Sequence, residues 1–511
     1  MSQEILWIRF AGFAYLGIPQ VLGVVLCFYL AGIALGAHIG KRWCVDRKDL
    51  YQLASQVLFL SAAFDLASPW VVTASMQANQ ALGAAALLPV LVGTAMFKST
   101  LFPVAHYLGS DKSGPQVGSS VSKVYFSNIA GSTLGPLLTG FVLLQVFSLQ
   151  QCFELMAALT AGVGWLCSLQ SRRQLTVVPI AIVLACALSL LLPMRLMTLL
   201  IGAARRDGGV VTHLVENRFG VVHTVSHPGE ADTTFGGNVF DGKIAVNFAN
   251  DENGIYRVFV LAALQPQTHR VLTIGLATGA WATALLEFPQ IERVDAVEIN
   301  PGYLRIIPDY PPVSMILSDP RMHIHIDDGR RWVRRNPGAR FDLIVANTTW
   351  HWRAYSSLLL SRDFVSICRT HLLPGGIFTY NTTFSADAYE TVAREFLHAY
   401  KLGTFVVGSD RELVLTEAGL LETLKAMSIN GRPLIDPSDT RVTKHVHDAV
   451  ASFEPYSTFR PKMVAASDRE PEPITDQNLV GEYRHSDLSP LAADLSAIRL
   501  KLAELIQAKD P

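Results

Sequence analysis

The chain has 511 residues, 42 Lys+Arg against 43 Asp+Glu, and 17% charged residues, where a soluble globular chain runs near ~25%. The deficit is confined to one end: residues 1–200 hold 11 Lys/Arg and 6 Asp/Glu, and the remaining 311 residues carry an ordinary load. This excludes one large soluble enzyme, a disordered chain and a secreted disulfide scaffold, and suggests a membrane domain fused to a soluble one.

The net charge of −1 divides into about +5 over residues 1–200 and about −6 over the rest. Neither part has the dense basic surface that neutralises phosphates, so nucleic acid is not an expected partner. The six cysteines form no CxxC pair, which argues against a zinc site and for an intracellular chain without disulfides.

In chain order, a short apolar start at 5–18 contains Arg9 and reads as half a span or an interfacial helix. Six apolar stretches then approach or exceed the length that crosses a bilayer: 20–38, 52–74, 83–104, 127–147, 151–168 and 176–195. No cleavable signal peptide is expected. The basic loops 41–48 and 172–173 belong on the cytoplasmic side by the positive-inside rule. Six full spans would put the following domain outside, so one of them is expected to be re-entrant or miscounted. Gly32, Gly36 and Gly40, and Gly131 and Gly135, repeat every four residues. That spacing lets helix backbones approach closely, within one chain in preference to a homodimer interface. Asp65 and Lys98 lie at membrane depth, where such residues face the bundle interior and often pair; a structural pair and a substrate or ion path are both open.

The soluble part opens with a small β-rich segment, 210–265, with strands at 221–225 and 239–244 around an Asp241-Gly242 turn. From 270 the pattern alternates strand and helix. Strands are expected at 270–275, 294–299, 322–327, 341–347, 376–382, 403–408 and 412–416, with helices at 279–288, 301–307, 329–335, 361–372 and 385–399 between them. This is a doubly wound α/β sheet ending in an antiparallel pair around Asp410-Arg411. Domains are placed at 1–204, 210–265, 266–418 and 419–511, the last loop-rich with a terminal helix near 488–508.

Four motifs fall at the carboxyl ends of strands. Gly275-Leu-Ala-Thr278-Gly279 turns from the first strand into a helix N-terminus. Glu298 ends the second strand, where a carboxylate can accept ribose hydroxyls. Asp327-Asp328-Gly329 ends the third, where an acid can meet an adenine amino group. Asn347-Thr-Thr-Trp350-His351-Trp352 ends the fourth. One rim carrying all four points to a nucleoside site. Singly, each could be a turn glycine or a helix cap.

The stretches Asp241-Gly242-Lys-Ile, Asp251-Glu252, RVLTIGLATG, VDAVEIN, IDDGRRW, FDLIVAN and Leu373-Pro-Gly-Gly376 resemble the spermidine synthase (polyamine aminopropyltransferase) family. EILWIR, AGIALGAHIGKR and VYFSNIAGSTLGPLLTGF resemble its bacterial form fused to a membrane domain. The resemblance implies an α-helical transmembrane bundle fused to a Rossmann-like α/β domain of the class I methyltransferase and spermidine synthase kind. It implies S-adenosylmethionine (SAM) or decarboxylated SAM as the bound nucleoside, a small-molecule acceptor, and a multi-pass protein of the bacterial inner membrane with its soluble domain cytoplasmic. By position, Glu298 would hold the ribose, Asp328 the adenine, and Gly275–Gly279 would underlie the arm on sulfur.

The departures from the family are specific. Thr278 is neutral where soluble synthases carry an Asp for the cofactor amine, so a full amino-acid arm becomes as plausible as a decarboxylated one. The two acids of the DSSDP-like motif are Asn347 and Trp350 here, and a glutamine after the Asp-Gly turn is replaced at Ala245. Asn cannot accept the proton of an attacking ammonium. Standard spermidine synthesis is therefore not expected. His351 is the one neutral-pH base in the motif, and Trp350 and Trp352 could stack on a sulfonium; core packing is the alternative for the tryptophans and a solvated loop for the histidine. Three functions follow: transfer or release of the alkyl arm with methylthioadenosine leaving, which includes self-cleavage of SAM by its own carboxylate; methyl transfer to a membrane-associated acceptor; and a transporter or sensor with a nucleoside-binding domain.

Overall fold

The computed structural model describes residues 1–484 apart from 47–48, 111–116, 172–194, 206, 348–349, 430 and 468. The chain divides into two compact units, Met1–Val221 and Val222–Pro511.

The first unit is helical. Its helices are α1 (Ser2–Ala14), α2 (Gln20–Asp46), α3 (Leu50–Ala78), α4 (Gln80–Ser99), α5 (Leu101–Gly109), α6 (Val117–Leu138), α7 (Leu149–Leu169) and α8 (Leu196–Arg205). Five stretches are long and apolar enough to cross a membrane: Gln20–Asp46, Leu50–Ala78, Gln80–Gly109, Gly118–Val146 and Leu149–Leu169. They coincide with the first five expected spans. The sixth, 176–195, lies outside the described residues except at its last residue, and so does the terminal helix expected at 488–508.

The apolar start is an inner helix, not an interfacial one. Leu6, Trp7 and Phe10 of α1 are fully buried, and the Arg9 guanidinium donates to the Asn217 carbonyl at 2.5 Å. The first glycine repeat is a packing seam within the chain. A Cβ on Gly32, Gly36 or Gly40 of α2 would lie 2.2–2.4 Å from the carbonyl oxygens of Val92, Met96 and Thr100. Only glycine lets α2 lie this close to the helix beside it. Gly131, by contrast, faces open space. Asp65 and Lys98 do pair, Nζ to Oδ2 at 2.6 Å.

The second unit is built on one open sheet. Its strands are β5 (Arg270–Ile274), β6 (Arg293–Glu298), β7 (Met322–Ile326), β8 (Phe341–Ala346), β9 (Leu372–Asn381), β10 (His398–Leu402), β11 (Phe405–Ser409) and β12 (Phe453–Pro455), numbered after β1 (Val210–Asn217) of the first unit and β2–β4 below. The spatial order is β12-β10-β11-β9-β8-β5-β6-β7. Strands β9, β8, β5, β6 and β7 run parallel, and β11, β10 and β12 are added antiparallel. Successive side chains enter opposite cores. Val271, Leu343, Val345 and Ile377 pack on one face, and Leu272, Ile344, Ala346 and Phe378 on the other. Both faces are covered, which is why these strands are continuous apolar runs.

Two expectations needed correction. The antiparallel pair turns at Gly403-Thr404, not at Asp410-Arg411, because Gly403 takes the left-handed backbone (φ +59°) that a tight hairpin needs. The helix expected at 385–399 accordingly stops at Ala393, and His398 already begins β10. Ahead of the sheet stand β2 (Gly220–Ser226), β3 (Thr233–Gly236) and β4 (Val239–Lys243), each antiparallel to its neighbour.

Replacing Gly36 by leucine should lower the thermal midpoint of the detergent-solubilised chain by several degrees, since overpacking costs ~1–3 kcal/mol or more. Gly131→Leu should leave the midpoint unchanged. Equal effects would show that the α2 seam does not hold the helical unit together.

Candidate functional site

Strand order reverses between β5 and β8, and the crevice beyond their carboxyl ends is where open α/β sheets take ligands. Gly275 leaves β5 at φ +90°, and a Cβ on it would sit 2.4 Å from the Asn347 carbonyl oxygen at the end of β8. The two strand ends therefore meet at glycine. Gly279, at φ +85°, caps helix α10 (Ala280–Leu286), and a side chain there would strike Ile316. Ala277 between them also has positive φ, a rare state for a residue with a Cβ.

Glu298 ties this turn down. Its Oε2 accepts from the backbone N–H of Leu276 (2.9 Å) and Ala277 (3.2 Å), and its Oε1 from that of Asn300 (2.8 Å). A carboxylate offers about four acceptor positions, so one remains for a ligand hydroxyl. Burial raises the Glu298 carboxyl to about 7; the three N–H groups oppose this and the Asp241 charge adds to it.

Asp327 and Asp328 follow β7 with different tasks. Asp328 caps helix α11 (Gly329–Arg335), its Oδ1 accepting from the Arg331 N–H at 2.8 Å. Asp327 accepts from the Asp328 N–H at 2.8 Å and is ion-paired to Arg331. Burial alone would raise its carboxyl, but Arg331, the Asp328 N–H and Arg335 together hold the group below the usual range. Gly329 packs on β5, where a Cβ would lie 2.4 Å from the Ile274 side chain.

After β8, Asn347 Oδ1 accepts from Asn381 Nδ2 at 3.5 Å. Trp350 donates its indole N–H to the Phe240 carbonyl at 3.1 Å, and its ring lies 5.9 Å from that of buried Trp352. His351 is not a solvated loop residue. It is 2% exposed; its Nδ1 meets Thr383 Oγ1 at 2.7 Å and its Nε2 meets the Arg484 carbonyl at 3.1 Å. A carbonyl can only accept, so Nε2 carries the hydrogen and both ring nitrogens are engaged. His351 thus ties the segment after β8 to Thr383 and to the Arg484 backbone.

The β3–β4 hairpin reaches over this rim. Thr234 Oγ1 is 3.4 Å from Thr278 Oγ1, and both are buried. The Gly236 carbonyl accepts from Arg353 Nη1 at 3.2 Å. Asp241 Oδ2 accepts from the Tyr303 hydroxyl, which follows β6. Burial lifts the Asp241 carboxyl to about 6 against the pull of Tyr303 and Arg353. Burial and the Asp241 charge also push the Tyr303 hydroxyl well up. In the sequence Asp241 marks a turn and a family-like stretch, and nothing there singles out Tyr303 or Arg353. No local spacing joins positions 62 and 50 residues apart. Asp251 is structural: its carboxyl accepts from the N–H groups of Ile255 and Tyr256 at the start of helix α9 (Tyr256–Leu264).

An open, mostly parallel sheet with a glycine turn after its first strand and an acid ending its second is of the doubly wound α/β class. Residues 258–397 match the family described as the spermine/spermidine synthase domain. Among curated proteins, the polyamine aminopropyltransferase of Agathobacter rectalis is 30% identical over 27% of this chain and 49% of its own length. That of Lachnospira eligens is 29% identical over 31% and 58%, and polyamine aminopropyltransferase 2 of Streptomyces coelicolor 28% over 27% and 25%. Among solved structures, the spermidine synthase of Thermotoga maritima is similar at 16% identity and a TM-score of 0.37, over 50% of this chain and 88% of that one. The chain spans about half the length of the first two curated relatives it matches. The chain thus carries a spermine/spermidine synthase domain in its C-terminal half, behind five long apolar helices.

If a nucleoside ribose docks on Glu298, the raised carboxyl sets a pH dependence for that binding. A ribose hydroxyl donates to the ionised form, so affinity should rise with pH between about 6 and 8 and level off above. Titration calorimetry with methylthioadenosine checks this; a flat profile would show that Glu298 does not take the ribose. The sign for stability is opposite. The folded carboxyl binds its proton more tightly than the unfolded one, so this contribution weakens as pH rises from the unfolded value of 4.5 to about 7.

Proposed function

We propose that the C-terminal unit is a transferase that binds SAM or decarboxylated SAM on this rim and moves or releases the three-carbon arm, with methylthioadenosine as the leaving nucleoside. The matched domain supports the class of reaction. Glu298 would hold the ribose, Asp327 and Asp328 would face the adenine, and the Gly275–Thr278–Gly279 turn would run beneath the arm. A nucleophile attacks the carbon bonded to the sulfonium, the C–S bond breaks, and its electron pair neutralises the sulfur.

An amine nucleophile must also lose a proton, and Asn347 cannot take it. The observation that carries the reading is Asp241, a carboxyl raised to about 6 that hangs over the rim beside Tyr303. A base with that value is largely ionised at neutral pH yet more basic than an ordinary aspartate. Trp350 and Trp352 would offer an aromatic wall to the sulfonium, in place of the acid the family carries. The neutral Thr278–Thr234 pair gives no anionic partner for an amine at the end of the arm. That favours full SAM, whose amino group comes with its own carboxylate, and a non-standard acceptor. SAM is made in the cytoplasm, so this unit is placed on the cytoplasmic side of a bacterial inner membrane.

The purified full chain is incubated with SAM and with decarboxylated SAM, and the nucleoside product is identified. Methylthioadenosine is expected. S-adenosylhomocysteine would replace this reading with methyl transfer, and binding without turnover would replace it with a sensor or transporter. If an external amine is the nucleophile, Asp241→Asn should slow transfer about 10²-fold or more, the usual worth of a general base, and leave nucleoside affinity within a factor of a few. Asn347→Asp should raise amine-dependent turnover. If the SAM carboxylate attacks its own arm, neither substitution should matter, because that nucleophile is already ionised.

A further inference from the structure

Buried polar atoms without partners gather in the helical unit. On α3, Ser61 precedes Asp65 by four residues and Ser68 follows it by three, so the three share a helix face. All are buried, and Ser61 Oγ, Asp65 Oδ1 and Ser68 Oγ have no hydrogen-bond partner. On α4, Thr94 stands one turn before Lys98; it is buried, and its Oγ1 is unpartnered too. From α1, Gln3 lies within reach of the Asp65 carboxyl, but neither end of its buried carboxamide completes a well-aligned hydrogen bond. Hydroxyls elsewhere in the unit vary: Thr73 and Thr160 donate to their own helices, to the carbonyls of Pro69 and Met156 at 2.8 and 2.7 Å, while those of Ser55 and Thr139 are unpartnered but stand apart from any charged pair.

The place is deep in the span. Asp65 is 15 residues from Leu50 and 13 from Ala78, roughly 20 Å of helix on either side at about 1.5 Å per residue. Unpaired polar groups are most costly there, and a set of them persists only where something polar comes to meet them.

The charges select the guest. Asp65 and Lys98 already neutralise one another at 2.6 Å, with Asp65 fully buried. A lone ammonium or a lone carboxylate would add an uncompensated charge at mid-depth. A zwitterion adds none, and its two ends match the groups on offer. Its ammonium has donors for Asp65 Oδ1, Gln3 Oε1 and a hydroxyl oxygen. Its carboxylate can accept from the remaining Lys98 N–H groups, from Gln3 Nε2 and from the Thr94 hydroxyl. We propose that the helical unit holds a mid-depth binding site for a small zwitterion of the amino-acid type, built on Asp65 and Lys98. This site is independent of the chemistry proposed for the C-terminal unit.

Three probes with one carbon skeleton test it: L-alanine, propylamine and propionate, each labelled and measured by equilibrium dialysis against the full chain in lipid nanodiscs. L-alanine should bind saturably and at least tenfold more tightly than either singly charged analogue. Removing both charges together, Asp65→Asn with Lys98→Met, keeps the site neutral; it should leave the thermal midpoint within a few degrees and weaken alanine binding at least tenfold. Single substitutions are less informative, because each leaves one buried charge unpaired. The proposal is overturned if alanine does not bind, if the double variant binds it unchanged, or if propylamine binds as well as alanine. The first result would leave the cluster to internal water and the last would make it a cation site.

Discussion

The second unit depends on one carboxyl group taking three backbone N–H groups. Glu298 ends β6, yet two of its partners, Leu276 and Ala277, belong to the turn after β5. That turn has three residues at positive φ in a run of five, Gly275, Ala277 and Gly279. Such a backbone is strained unless something outside it fixes the shape, and Glu298 does so. Burial raises the carboxyl to about 7 against the pull of these bonds, so the group that shapes the turn also titrates near neutral pH. Under the proposed function, shape and recognition are joined in this one residue.

What was legible in the sequence follows from distance along the chain. Gly275, Gly279 and Glu298 could be read because a strand, a turn and the next strand end within about 25 residues, and the glycine positions have a local physical cause. Gly329 could be read as a turn residue, but the reason only glycine fits it is the approach of Ile274, 55 residues away. Asp241, Tyr303 and Arg353 could not be joined at all. Each lies in a different connection, and only the folded hairpin over the rim brings them together. His351 shows the other limit. Its type makes it a candidate base in the sequence, but burial and two engaged ring nitrogens are properties of Thr383 and Arg484 as much as of the histidine.

The helical unit shows the same division. Apolar length alone located five spans, because the bilayer imposes one dimension on every helix that crosses it. The glycine repeats looked alike in the sequence, and the structure separates them by what each glycine faces: carbonyl oxygens for Gly32, Gly36 and Gly40, open space for Gly131. Arg9 looked like a mark of an interfacial helix. In the fold its charge meets the Asn217 carbonyl while Leu6, Trp7 and Phe10 fill the core, so a charged residue within an apolar run need not signal an interface.

The local loss of charge in the second unit is the remaining physical question, and it bears on the proposed nucleophile. Thr278, Asn347 and Trp350 are neutral at three positions where the resembling family carries acids. Removing anions from a site built for a polyamine weakens it twice, since the cation loses its partners and its proton loses its acceptor. Removing them from a site for a carboxylate nucleophile does the reverse, because each lost anion is one fewer repulsion for the attacking group. Asp241 separates these cases. Its charge is coupled to that of Glu298 and is partly offset by Tyr303 and Arg353. If it serves as a base, it does so from the hairpin side, opposite in sequence to the family's motif. If it does not, Arg353 and Tyr303 hold it quiet, and the site is one in which a carboxylate can approach a sulfonium without opposition.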